Sequence, residues 1–239
     1  MRISIHQPNF FPWLGFFHKI VNSDVFVIFD HVQFPQKGST WGNRVRFLIG
    51  GEDKWFTVPI LRSGKNVQNY NEIMFEGRQN WRKKMVHMLQ ANYSKSPFAE
   101  EVFEAILPII YFESENLAEY NLNAILGILK LLDNPQKKIV KSSSIEVNGK
   151  GTDLLVNIVK NLNGDIYLAG GGASGYQVDK LFEQNGIDLL YQNFQHPKYA
   201  QHKTKSFVPG LSILDTLFNA GFVKTKNFIQ GEINSEYST

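Results

Sequence analysis

The spacing of apolar and polar residues at the start of the chain predicts a strand, a helix and a second strand. Residues 2–5 alternate polar and apolar side chains, as a short strand does. In segment 12–21 the apolar residues recur at helical spacing, and Pro12 occupies a favourable first helical position. Residues 24–30 form an apolar run bounded by aspartates, which is typical of a parallel strand buried on both faces. The pattern therefore indicates a β-α-β unit.

The middle of the chain shows different periodicities. Segments 41–48 and 54–61 flank a Gly-Gly-Glu-Asp turn, and this arrangement predicts a β-hairpin. Helical spacing of apolar residues then covers three segments, 78–92, 98–112 and 116–132. Pro108 predicts a kink or a break in the second of these helices, because proline has no N–H for the helical hydrogen bond.

Strand and helix patterns alternate again in the last part of the chain. The predicted strands are 138–145, 165–169 and 189–194, and the predicted helices are 151–162, 176–184 and 211–219. We expect the two ends of the chain to form one α/β domain, 1–239, with a mainly parallel Rossmann-like sheet flanked by helices. The hairpin and the helical layer are expected as an insertion at about residues 35–135.

Composition and charge exclude several classes of protein. A 43% hydrophobic content can fill the core of a 239-residue chain, and a net charge of +3 gives no argument for nucleic acid as a partner. The chain has no cysteine, and its six histidines lack metal-ligand spacing, so no disulfide or metal site is expected. Because neither a signal peptide nor a long apolar stretch is present, we expect a cytoplasmic protein without a membrane span.

Polar residues follow the first predicted strand, where parallel sheets bind ligands. His6, Gln7 and Asn9 lie in this first βα loop. His6 could exchange a proton, and a helix starting near Pro12 would direct free N–H groups toward an anion. In the alternative interpretation, His6 bonds a neighbouring carbonyl group and the prolines only shape a turn.

A glycine-rich segment follows the predicted strand 165–169. Its glycines match the G-x-G-x-x-G spacing, but too little chain remains for a complete dinucleotide-binding domain. We interpret the segment as a loop whose missing side chains let a ligand approach the backbone. A tight turn without a ligand is the alternative. The candidate binding residues here are Gly170, Gly172, Ser174 and Tyr176.

Two further clusters supply polar side chains. Segment 194–206 concentrates histidines, lysines and glutamines, which suits an anionic substrate, and its candidates are His196, Tyr199, Gln201 and Lys203. Asp30 ends the second strand on the same predicted edge as His6, and is grouped with Gln33, Asn43 and Arg44. Solvated lysines and a salt bridge from Arg44 are the alternatives. The tryptophans Trp41, Trp55 and Trp81 are interpreted as packing residues.

Several segments together resemble the WbqC-like protein family, in order along nearly the whole chain. They are HQPNFFPWLGFFHKI from His6, WGNRVRF from Trp41, WFTVPI, YLAGGGASGY, FQHPKYAQ and LSILDTLFNAG. The resemblance implies a role in bacterial surface-polysaccharide (O-antigen) biosynthesis, such as acylation or aminoacylation of an amino-sugar nucleotide. As site residues it implies His6, Gln7, Asp30, Asn43, Arg44, His196, Tyr199 and Gln201.

Two functions follow as hypotheses. The first is a transferase acting on a nucleotide sugar or another small anionic metabolite, with His6, Asp30 and His196 as catalytic candidates. Its expected phosphate anchors are Arg44 and either Lys203 or Lys205. The second is a noncatalytic protein of the same pathway that binds a sugar or a partner.

A likeness in layout concerns the cofactor. The first strand, its polar loop and the late Lys-Thr-Lys-Ser segment are similar in arrangement to nucleotidylyltransferases, which implies ATP as a cofactor. That superfamily carries two histidines where this chain has Trp-Leu-Gly-Phe at residues 13–16.

Overall fold

The computed structural model describes residues 1–35, 40–61, 67–77, 80–134, 138–172 and 178–231. Two short 3-10 turns, Tyr70–Glu72 and Ser142–Ser144, accompany the helices and strands. In chain order the helices and strands are β1 (Arg2–His6), α1 (Leu14–Val21), β2 (Val25–Ile28), β3 (Arg44–Ile49), β4 (Glu52–Thr57), β5 (Ile60–Leu61), β6 (Met74–Phe75), α2 (Trp81–Tyr93), α3 (Ala99–Ile110), α4 (Leu117–Leu131), β7 (Lys138–Lys141), α5 (Gly151–Asn161), β8 (Ile166–Ala169), α6 (Asp179–Gln184), β9 (Asp188–Tyr191) and α7 (Ile213–Gln230).

Five parallel strands form the central sheet, in the order β7-β2-β1-β8-β9. From β1 the chain first builds one side of the sheet, through β2 and β7, and then returns to build the other side, through β8 and β9. The strand order therefore reverses between β1 and β8, which is the position at which such sheets bind ligands. The predicted α/β class with a mainly parallel sheet is confirmed.

Apolar side chains on the two faces of the sheet form two cores. Ile3 and Ile5 of β1 belong to the core under α5 and α6. Phe26 and Ile28 of β2 belong to a larger core shared with α1, α7 and the helices of the insertion. Because successive side chains of a strand point to opposite faces, His6 lies on the α1 face, opposite to Ile5.

The segment between β2 and β7 contains the predicted hairpin and helical layer, with three differences in detail. The predicted strand 54–61 is divided, because β4 pairs with β3 whereas β5 pairs with β6. The sequence pattern did not predict β6, which has only two residues. Helix α3 continues through Pro108 to Ile110, so the helix is not broken at the proline. Pro108 removes one helical hydrogen bond, and only two residues of the helix follow it.

Helix α7 extends well beyond the predicted segment 211–219. Gly221 interrupts its helical geometry with a φ of 74°, and the chain then resumes a helix to Gln230. A Cβ atom at Gly221 would lie 2.8 Å from the ring of Phe98, so both the backbone and the packing require glycine. No helix in the described parts of the chain, α7 included, combines the length and hydropathy needed to cross a membrane.

Candidate functional site

A cavity of about 650 Å³ lies at the carboxyl ends of β1, β8 and β9. One side of α1 forms a further wall, and Thr40, Trp41 and Tyr70 of the insertion also line the cavity. The cavity thus occupies the point where the strand order reverses. Of the residues predicted for a site, it brings together His6, Gln7, Asn9, Gly170, Gly172 and His196.

His6 reaches the cavity as a neutral imidazole. Its Nδ1 lies 3.0 Å from the carbonyl oxygen of Gln7, and since a carbonyl only accepts, Nδ1 carries the proton and Nε2 the lone pair. The ring packs edge-on against Phe16, with 5.0 Å between centroids. Burial, and after it the positive charge of Lys19, lowers the pKa of His6 to about 3. His6 therefore offers the cavity a hydrogen-bond acceptor.

His196 lines the same cavity from the segment after β9. Its ring lies edge-on to Phe194, at 5.0 Å between centroids. Burial lowers the pKa of His196, and the nearby Arg46 guanidinium adds to the effect. Arg46 is fixed by Asp53 and by the carbonyl groups of Pro209 and Gly210. His196 is therefore a neutral base at pH 7, held near a cation that disfavours its protonation.

Lys19 is a cavity residue that the sequence analysis did not select. It projects from α1, and its side chain is only 2% exposed. Its Nζ donates a hydrogen bond of 2.9 Å to the carbonyl oxygen of Ile5. A Cβ atom on Gly170 would lie 3.9 Å from this Nζ, so Lys19 stands between the ends of β1 and β8. Burial lowers the pKa of Lys19 to about 7.

Two tryptophans form an aromatic wall. Trp13 and Trp41 both line the cavity, with 4.7 Å between their ring centroids, and Trp55 continues the row at 4.8 Å from Trp41. Trp81 is buried in the core, as interpreted from the sequence. Trp41 both packs against other rings and lines the cavity. Flat apolar rings of this kind suit a sugar or a base.

Gln192 and Asn9 add amide groups to the walls of the cavity. The Gln192 Nε2 lies 2.8 Å from the Gly15 carbonyl oxygen and 2.8 Å from the His18 Nδ1, so it ties the end of β9 to α1. Asn9 is 3% exposed, and its Nδ2 has no hydrogen-bond acceptor among the residues that the structure describes. An unpaired buried donor is costly in a folded protein, so Asn9 is equipped to bind a ligand oxygen.

Asp30 lies outside the lining of the cavity. Its carboxylate accepts hydrogen bonds from the Ser142 hydroxyl at 3.0 Å, the Ser143 backbone at 2.9 Å and the Ser143 hydroxyl at 2.7 Å. These donors belong to the 3-10 turn after β7, so Asp30 joins the ends of β2 and β7. This geometry favours a structural role for Asp30.

Asp30→Ala is accordingly expected to cost stability and not affinity. The substitution leaves the serine donors without their acceptor, which costs about 2–3 kcal/mol. Urea unfolding would measure this loss, and ligand titration should give an affinity close to that of the wild type. Glu104→Ala, at an exposed carboxylate of α3, is the control. A large loss of ligand affinity at unchanged stability would show that Asp30 contributes to ligand binding.

Tyr199 and Gln201 take part in a buried polar network around Asp215. The Tyr199 hydroxyl and the Gln201 Nε2 donate to Asp215 Oδ2 at 2.7 and 3.1 Å, and the Tyr93 hydroxyl donates to Oδ1 at 2.9 Å. Gln201 also bonds Val208 through both of its amide atoms. Neither candidate lines the cavity, and both fix the segment that carries His196.

The remaining candidates lie elsewhere. The Asn43 Nδ2 donates to the Val58 carbonyl oxygen at 2.9 Å, and the Arg44 guanidinium lies 4.1 Å above the ring of Trp55. Gln33 is exposed and forms an isolated antiparallel β-bridge with Asn69. Lys203 is also exposed, and its Nζ donates to the Ala91 carbonyl oxygen in α2. Ser174 and Tyr176 lie outside the described residues. Among those that are described, no group of acidic or histidine side chains could hold a metal ion.

Comparisons with known proteins give two matches, one to a single protein and one to a family. An uncharacterized protein of Mycobacterium tuberculosis, Rv1507c, is 30% identical over 227 residues, which cover 92% of this chain and 94% of that protein. No solved structure matches significantly. The model of the WbqC-like protein family matches residues 7–227, a range that contains nearly all of the cavity lining. The chain belongs to the WbqC-like protein family.

Proposed function

We propose that this protein is an enzyme that transfers an acyl or aminoacyl group to the amino group of an amino-sugar nucleotide. The reaction would serve bacterial surface-polysaccharide biosynthesis, such as that of O-antigen, in keeping with the family. The observation that carries the proposal is the cavity at the reversal point of the sheet, in which His6 and His196 line one space. In this space His196 is suited to act as a base, and the lone pair of His6 is suited to hold a substrate group.

The size and lining of the cavity support a ligand of this kind. A volume of about 650 Å³ lies within the range of clefts that bind cofactor-sized molecules. Trp13 and Trp41 supply flat apolar surface for a sugar or a base. Among the described residues of the lining, none is acidic, so the walls do not repel phosphate oxygens.

His196 is the proposed general base. As the acceptor amine attacks the carbonyl carbon of the donor, a C–N bond forms, and His196 takes the proton that the nitrogen loses. The bond from that carbon to the leaving group then breaks, and the leaving group departs with a proton returned from His196. His6, through its Nε2 lone pair, would hold an N–H or O–H group of the acceptor in place.

ATP does not enter this scheme. The Lys-Thr-Lys-Ser segment was expected to bind phosphate, yet Lys203 contacts α2 and Lys205 is exposed outside the cavity lining. At the position of the two histidines of nucleotidylyltransferases, Trp13 and Phe16 present apolar rings. These residues do not fit a triphosphate site, so we derive no step through ATP.

The test is a matrix of activated acyl or aminoacyl donors and amino-sugar nucleotides, assayed by mass spectrometry. A thermal-shift screen would first select ligands, since saturation at about 100 times Kd stabilises by about 2.7 kcal/mol. We expect turnover by the wild type and about 10²-fold less by His6→Ala, because the acceptor loses the group that positions it. His87→Ala, at an exposed histidine of α2, serves as the control. Full activity of His6→Ala would remove the role assigned to His6.

A noncatalytic binding protein of the same pathway is the second candidate. The observation in its favour is the pKa of about 3 for His6, because so weak a base exchanges few protons at neutral pH. Nucleotide-sugar binding without turnover across all donors would select this function.

A further inference from the structure

We propose that the side-chain nitrogen of Lys19 binds an anionic group of the ligand, a phosphate or a carboxylate, inside the cavity, with the Asn9 amide as a second donor. The inference rests on the cavity of the proposed function and deepens that function by naming the group through which the substrate is held. It assigns the binding charge to α1 and a neutral second donor to the first βα loop.

The unpaired charge of Lys19 is the first observation. A lysine ammonium group has three donors, and the described residues provide one acceptor, the carbonyl oxygen of Ile5 at 2.9 Å. The side chain is 2% exposed, so its charge is largely removed from bulk water. No carboxylate stands among the described residues of the lining. A buried cation without a counter-charge is unfavourable, and a ligand anion would supply that counter-charge.

The orphan amide of Asn9 is the second observation, and it is independent of the first. Asn9 comes from the loop after β1, whereas Lys19 comes from α1. The Asn9 Nδ2 is buried without an acceptor among the described residues, yet Asn9 lines the cavity. Both side chains thus present hydrogen-bond donors, which complement the oxygens of a phosphate or a carboxylate.

The residues that the sequence suggested as phosphate anchors do not compete for this role. Arg44 stacks on Trp55 and Lys203 bonds the Ala91 carbonyl oxygen, and neither belongs to the cavity lining. Lys19 is the lysine that lines it, among the residues described.

Anion binding should depend on pH in a defined direction. The titratable groups that line the cavity with Lys19 are His6, His196, Tyr70 and Tyr167, and Arg46 adjoins His196. Since burial lowers the pKa of Lys19 to about 7, the free protein loses this charge above neutrality. A bound anion favours the charged form, so binding takes up a proton. Affinity should fall about tenfold per pH unit above pH 7.

The experiment titrates four probes by calorimetry at about pH 6, 7, 8 and 9: inorganic phosphate, pyrophosphate, acetate and UDP-N-acetylglucosamine. The wild type is compared with Lys19→Met, Lys19→Arg and Asn9→Ala, and Lys160→Met provides a control at an exposed helical lysine. We expect Lys19→Met to weaken anion affinity more than about tenfold and to remove its decline above pH 7. Lys19→Arg should keep affinity but lose the decline, because arginine stays charged. Lys160→Met should match the wild type.

The outcomes separate the inference from the proposed function. Equal anion affinity in the wild type and Lys19→Met, or in the wild type and a folded Lys19→Gln should Lys19→Met fail to fold, overturns the inference. Absence of binding by every probe also overturns it. Lys19-dependent binding without turnover sustains the inference while removing the transferase. Turnover that is unaffected in Lys19→Met sustains the transferase and overturns the inference about Lys19. Preference for pyrophosphate over acetate identifies a phosphate, and the opposite order identifies a carboxylate.

Discussion

His196→Ala is expected to lower turnover by about 10²–10⁴-fold while changing ligand affinity only a few-fold. Burial and the neighbouring Arg46 lower the pKa of His196, so its imidazole is free to accept a proton at pH 7. The rate of the wild type should therefore fall as the pH drops through this pKa, below 6.5, where the imidazole becomes protonated. Loss of the Lys19 charge should lower kcat/KM above about pH 7. Measurement of kcat and KM from about pH 5 to 9 would show both limbs.

His202→Ala is the matched control, because His202 lies in the same segment as His196 and does not line the cavity. It should keep the turnover of the wild type. The acidic limb of the kcat profile should disappear in His196→Ala and remain in His202→Ala. Undiminished turnover in His196→Ala, or an acidic limb that survives the substitution, would contradict the assignment of the base.

Asp215→Ala is expected to destabilise the fold by about 2–6 kcal/mol, since each of two buried hydroxyls left unpaired costs about 1–3 kcal/mol. The carboxylate is fully buried, and its removal leaves the Tyr93 and Tyr199 hydroxyls without their acceptor, while the Gln201 amide keeps only the Val208 carbonyl oxygen. Burial raises the pKa of Asp215, although the hydroxyl and amide donors oppose the shift. Because the folded protein holds this proton more tightly than the unfolded chain, the Asp215 contribution to stability should decline as the pH rises from about 3.8 to the folded pKa. Urea unfolding followed by circular dichroism would measure these changes.

Tyr93→Phe and Tyr199→Phe provide the controls for this network. Tyr199→Phe removes one donor and leaves the carboxylate bonded to the others, so it should cost about 1 kcal/mol. Tyr93→Phe also leaves the buried Leu48 N–H without its acceptor, so it should cost about 2–3 kcal/mol. Combined with Asp215→Ala, either substitution should cost less than the sum of the single effects, because the lost partner is shared. Additive effects, or an Asp215→Ala variant as stable as the wild type, would show that the network contributes little. Asp215 fixes Tyr199 and Gln201, which follow His196 closely in the sequence. The network therefore also helps to position the proposed base.

The sheet was predictable because its signals are local. The buried run at β2 and the alternation at β1 define strands within a few residues, and parallel-sheet geometry then places His6 at a ligand-binding edge. The joint contribution of His6 and His196 to one cavity follows from the parallel alignment of β1, β8 and β9. Short elements such as β6 carry too few residues for a periodic pattern, and α7 resumes after Gly221 only because the glycine fits against Phe98.

Lys19 escaped the sequence analysis because a lysine in an amphipathic helix ordinarily faces water. A usable signal was present: Lys19 follows Phe16 by one helical turn, so it shares the apolar side of α1. Tyr199 and Gln201 were selected as ligand-binding residues although neither lines the cavity. Their polar clustering suggests a ligand site, whereas their partner is Asp215, a carboxylate inside an apolar helical pattern that only the folded structure brings next to them.

A crystal structure of the protein with an amino-sugar nucleotide tests the central claim most directly. We expect a phosphate within hydrogen-bond distance of Lys19 Nζ and Asn9 Nδ2, and the amino sugar between His6 and His196. A nucleotide bound instead along Arg44 and Lys203, with the cavity between β1 and β8 left without ligand, would contradict the account.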